Sequence, residues 1–90
     1  MNKPRRKEIE AIEEKIKALQ LTANAIKAEI ESVRADEDDA FDNLSENLQN
    51  SERGEAMQTA SSNLEEAEQE LDDIESSCNE AIRNLEAARE

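Results

Sequence analysis

Two stretches of the chain repeat apolar residues at alternating steps of three and four. Over residues 5–35 the first set is Ile9, Ile16, Ala23 and Ile30, and the second is Ile12, Leu19, Ile26 and Val33. Steps of this kind place side chains on one stripe of a helix. They predict a helix over about residues 4–35, with Pro4 in the first turn, where its missing N–H costs nothing. Over residues 56–90 the pattern returns. Met57, Leu64, Leu71, Cys78 and Leu85 form one set, and Ala60, Ala67, Ile74, Ala81 and Ala88 the other, with Ile82 widening the stripe. This predicts a second helix over about residues 52–89. Its alanines let another backbone come close, so large side chains of the first helix are expected over the alanines of the second.

Between them, residues 36–54 break the heptad. Asp36, Glu37, Asp38 and Asp39 form an acidic run. Phe41, Leu44 and Leu48 follow at helical spacing and predict a short helical turn. Asn50, Ser51 and Gly54 supply turn chemistry, and Ser51 is the expected N-cap of the second helix. A connector this long exceeds the usual link of about 2–8 residues in a bundle. It reads as an acidic tip and not a simple turn.

The expected fold is all-α: a single domain over residues 1–90, built as an antiparallel two-helix hairpin of coiled-coil type. Composition agrees. Charged residues make up 39% of the chain and Phe41 is its only aromatic, which suits long helices and excludes a sheet-based core. The periodic placement of apolar residues excludes disorder, the other reading of such a charged chain. No apolar run approaches the ~18 residues of a membrane span. The basic N-terminus has no apolar core after it, so no signal peptide is read and a cytoplasmic location is expected. Cys78 is the lone cysteine and cannot staple the fold.

Two apolar stripes give a lone hairpin little to bury, so self-association is expected. The back of the first helix offers a strip for it in Ala18, Leu21, Ala25 and Ala28, with Ala11 and Ala35 at its ends. Good helix formation is the other explanation of those alanines.

Charge is uneven. Residues 1–35 carry eight Lys/Arg against six Asp/Glu, residues 36–54 one against seven, and residues 55–90 two against eleven. In a hairpin of roughly 50 Å, Lys3, Arg5, Arg6 and Lys7 are expected beside Glu86 and Glu90, with the tip almost purely acidic. Eight carboxylates lie between Glu65 and Glu80, or about one per 3 Å of helix. A nucleic-acid strand carries a phosphate about every 3.4 Å. Such a helix can stand in for phosphates in a basic groove; a solvated face is the alternative. Direct nucleic-acid binding is disfavoured, since the acidic faces repel phosphate.

Catalytic and metal chemistry is missing. There is no histidine. The acidic run is no calcium loop: counting from Asp36, the positions that need Gly and Glu hold Phe41 and Asn47. No Gly-rich phosphate loop exists, because Gly54 stands alone. Neither enzymatic activity nor any cofactor or metal is expected.

The stretch Ala40-Phe41-Asp42-Asn43-Leu44-Ser45-Glu46-Asn47-Leu48-Gln49-Asn50-Ser51-Glu52-Arg53-Gly54-Glu55-Ala56-Met57 resembles small acidic helical proteins encoded by phages and mobile elements of gut-type Firmicutes. Leu44 stands where those proteins often have proline. The resemblance implies a context and no functional residue: such proteins often block nucleic-acid-binding or defence machinery of the host. The resulting expectation is an acidic inhibitor or DNA mimic, of the anti-CRISPR kind, that binds a host protein with a basic surface. Its acidic contacts would be Asp36, Glu37, Asp38, Asp39, Asp42, Glu65, Glu66, Asp72, Asp73 and Glu80. Phe41, Leu44 and Leu48 would be its apolar anchors. A homo-oligomeric scaffold without such a target is the alternative.

Overall fold

A computed structural model describes residues 1–90. The chain forms α1 (Lys3–Asp42), a single turn α2 (Glu46–Gln49) and α3 (Glu52–Ala88), with α1 and α3 antiparallel along a rod of 68 × 15 × 12 Å. No helix is long and apolar enough to cross a membrane.

The first helix runs seven residues past the expected end, through the whole acidic run to Asp42. Nothing between Asp36 and Asp42 breaks a helix: the segment has no Gly or Pro. Packing also continues there, because Glu37, Phe41 and Leu44 are half-buried in line with Ile30 and Arg34. Mutual repulsion of exposed carboxylates is weak by comparison, at a few tenths of a kcal/mol per pair. The longer helix explains a rod longer than expected. What remains of the tip is compact. Asn43 N–H donates to Asp39 O at 3.1 Å and Leu44 N–H to Phe41 O at 3.0 Å.

Each helix start is set locally. Asn2 caps α1 by accepting from Arg5 N–H at 2.9 Å, with Pro4 in the first turn. Ser51 holds the N-cap position of α3, as expected. Its hydroxyl does not cap; it donates back to Leu48 O at 2.5 Å.

The seam between the long helices differs in phase from the expected one. The buried and half-buried residues of α1 are Ile9, Glu13, Ile16, Gln20, Ala23, Lys27, Ile30, Arg34, Glu37 and Phe41, with Asp38 beside them. In α3 the deepest are Gly54, Glu68, Cys78 and Ile82. One expected stripe, Ile9 to Ile30, does face inward. The other lies along the edge of the seam: Ile12, Leu19, Ile26 and Val33 are 41–55% exposed, and Ile74 of α3 is 42% exposed. Of the α3 alanines, Ala60, Ala67 and Ala81 are half-buried, and Ile16 and Leu19 lie beside Ala81. Beside the inward stripe of α1 runs a row of polar residues, Glu13, Gln20, Lys27 and Arg34.

Candidate interaction surfaces

That polar row is a ladder of cross-helix contacts. Arg89 Nε lies 2.7 Å from Glu13 Oε2, and its Nη1 is 3.6 Å from Glu10. The side-chain amide of Gln20 donates to Asn79 Oδ1 at 2.6 Å and to Glu75 O at 3.2 Å. Lys27 Nζ meets Asp72 at 2.7 Å. Arg34 Nε meets Glu68 Oε2 at 2.5 Å. Ser61 donates to Asp38 at 2.6 Å. Glu13 and Glu68 are the most buried charged groups, 3% and 5% exposed. Hydrogen bonds donated to Glu68, Glu13 and Asp72 hold the Arg34 guanidinium, the Arg89 guanidinium and the Lys27 amine, respectively, above their ordinary pKa, against the opposing effect of desolvation.

These rungs were missed in the sequence, although a signal was there. Glu13, Gln20, Lys27 and Arg34 recur every seven residues one place after the exposed stripe. Glu68 and Arg89 hold the matching places in the second helix, in the reverse order an antiparallel pair needs. A slip of one heptad that sets Glu13 against Ile82 would set Arg34 against Ser61 and lose both ion pairs. The ladder thus fixes register more than it adds stability, since desolvation offsets most of a buried pair's attraction.

The ladder also sorts the acidic residues. Asp72 is tied to Lys27, Glu80 to Arg83 at 2.8 Å, and Asp38 to Ser61. Glu37 is half-buried on the seam side of α1. Asp36, Asp39, Asp42, Glu65, Glu66 and Asp73 are exposed, as is Glu70. None of these seven takes part in an ion pair. Arg53 is the only cation between Asp36 and Ile82. The last turn of α1 carries no basic residue. Its carboxylates thus stand at the negative end of that helix's dipole, an arrangement that isolated helices disfavour.

The expected pairing at the other end does not form. Lys3, Arg5, Arg6 and Lys7 are exposed and make no ion pair with Glu86 or Glu90. The register is the reason. Because Arg89 reaches Glu13, the first turns of α1 extend past the end of α3 as a basic overhang.

The three expected anchors separate. Phe41 and Leu44 are half-buried, and Leu48 is 44% exposed. Gln49 locks this end: its side-chain amide donates to Phe41 O at 3.2 Å and Leu44 O at 3.3 Å. It thereby satisfies carbonyls that the end of α1 leaves without partners. Ala18, Leu21, Ala25 and Ala28 are all exposed on the outer side of α1; Leu21, at 73%, is the only large apolar residue among them.

No three His, Cys, Asp or Glu side chains group so as to hold a metal ion. Cys78 is buried. No protein-family model matches the chain, and neither curated proteins nor solved structures give a match.

Proposed function

We propose that this chain is a non-enzymatic binding protein whose acidic rod occupies a basic surface of another protein. The outer side of α3 is the binding face. The observation that carries this reading is the state of Glu65, Glu66, Glu70 and Asp73. They are exposed, close together on one helix and free of any cation of their own chain. A rigid backbone that holds carboxylates at near-phosphate spacing favours a partner built to bind nucleic acid. The resemblance of residues 40–57 to proteins of phages and mobile elements supports a host nucleic-acid-binding or defence protein as that partner, with inhibition as the outcome.

The test is affinity capture from bacterial lysate by wild-type protein and by a Glu66→Gln, Glu70→Gln, Asp73→Asn variant, at low and high salt. Capture of a basic nucleic-acid-binding protein at low salt, lost at high salt and lost in the variant, is the expected result. Capture that ignores both salt and the substitutions overturns the reading.

A further inference from the structure

We infer that the exposed apolar edge of the hairpin is the contact face of an antiparallel homodimer, in which the basic overhang of each copy lies along the acidic end of the other. The chain is a thin rod with large apolar side chains uncovered along one edge. It exposes 6512 Å², where a compact monomer of its mass exposes about 5,300 Å². The excess, on the order of 1,200 Å² per chain, is enough for a stable dimer, whose interface buries about 1,200–2,000 Å² in total.

The positions of the apolar residues define how a second copy fits. On α1 the edge is Ile12, Leu19, Ile26 and Val33, evenly spaced by seven. Two such helices run antiparallel and in register when Leu19 meets Ile26 of the second copy and Ile12 meets its Val33. The two-fold axis then passes between residues 22 and 23. On α3 the corresponding edge carries Ile74 and Ala81, and the large residue meets the small one when the axis passes between residues 77 and 78.

These two axis positions are independent, and they coincide. The rungs Gln20–Asn79 and Lys27–Asp72 set residues 22–23 of α1 level with residues 76–77 of α3. That is about one residue, or 1.5 Å, from the position α3 requires. A mostly apolar groove of about 390 Å³ opens at this level between Ile16, Leu19, Ile74, Cys78 and Ala81, with Asp73 and Ser77 at its polar side. It offers room for an apolar side chain of the second copy.

Charge agrees with the same register. It brings the cations Lys3, Arg5, Arg6 and Lys7 to the level of residues 36–42 of the second copy, with Arg5, one heptad before Ile12, on the contact edge itself. No intrachain ion pair involves these cations, or Asp39 and Asp42. The parallel arrangement would bring the two acidic ends together. Asp73 also lines this groove, so the dimer brings one residue of the proposed binding face to its rim. A monomeric protein would overturn the dimer without touching the acidic-face reading.

Light scattering behind size exclusion should give twice the 10.1 kDa chain mass. Leu19→Glu with Ile26→Glu should halve it while circular dichroism keeps the helical signal, because both side chains are exposed. Leu21→Glu, on the outer side, should leave it unchanged. Zero-length carbodiimide coupling of the wild type should join Lys15 to Glu29, exposed residues that flank the edge at matching levels. These lie 14 residues apart on one helix, about 21 Å, so such a link arises only between copies. A mass of 10.1 kDa at every soluble concentration overturns the inference. So does a dimer that survives the double substitution, or one whose links between chains lack this pair.

Discussion

Arg34 Nε and Glu68 Oε2 face each other at 2.5 Å across the seam, and neither atom has any other partner. Removing one charge strands the other. Arg34→Leu should therefore lower the melting temperature more than Arg34→Leu and Glu68→Leu together, since the double change removes the desolvation cost along with the attraction. Thermal denaturation followed by circular dichroism reads this directly. Equal losses in the single and double variants would mean that the pair is solvated and sets nothing.

Lys27 gives a test in pH. Its hydrogen bond with Asp72 raises its pKa above the ordinary lysine value. A raised pKa in the folded state means that the pair's contribution is full below the unfolded pKa. It is lost as pH climbs through the folded one. Lys27→Arg keeps the charge across this window. Melting curves from about pH 9 to about pH 12 should show wild type losing more stability than the variant at the alkaline end. Parallel curves would remove Lys27 as the source.

The ladder also explains what was legible in the sequence. Periodicity identifies residues that share a stripe, and it located both long helices and their pairing, while turn chemistry placed Ser51 at the start of the second. It does not say which edge of the stripe meets the nearest neighbour. Ile12, Leu19, Ile26 and Val33 look like core residues on spacing alone, yet Glu13 and Arg34 take the inward place beside them. Only their match to Arg89 and Glu68 decides the phase, and that match is a property of two distant segments. The acidic run looked like a tip because like charges cluster there. Its helical state depends on Phe41 and Leu44 packing on, which local composition does not reveal. Among the acidic candidates, sequence could not separate Asp72, tied to Lys27, from Asp73, which is free.

Gly54 sits buried in the first turn of α3, under the end of α2. A Cβ there would run into the backbone carbonyl of Gln49 and lie 2.7 Å from Leu48 O. Gly→Ala inside a helix ordinarily gains up to about 1 kcal/mol. Here the obstacle is backbone, which cannot rotate aside, and overpacking of this kind costs about 1–3 kcal/mol. Gly54→Ala should thus be destabilising in urea unfolding. A stabilised variant would show that α2 does not rest on α3.

Phe41 and Leu48 were expected to act alike, and their burial separates them. Phe41 is half-buried beside Met57 and Ser61, whereas Leu48 is 44% exposed on the single turn of α2. Full removal of a buried phenylalanine costs about 3–5 kcal/mol, so about 1–2 kcal/mol is expected for Phe41→Ala. Leu48→Ala should stay within about 0.5 kcal/mol, as exposed substitutions do. Any loss of partner binding by Phe41→Ala is then mixed with a loss of fold. Leu48→Ala is the clean probe of an apolar contact at this end. Reduced capture of a partner by that variant, at unchanged stability, assigns Leu48 to the interface. Capture equal to wild type confines binding to the carboxylates of α3.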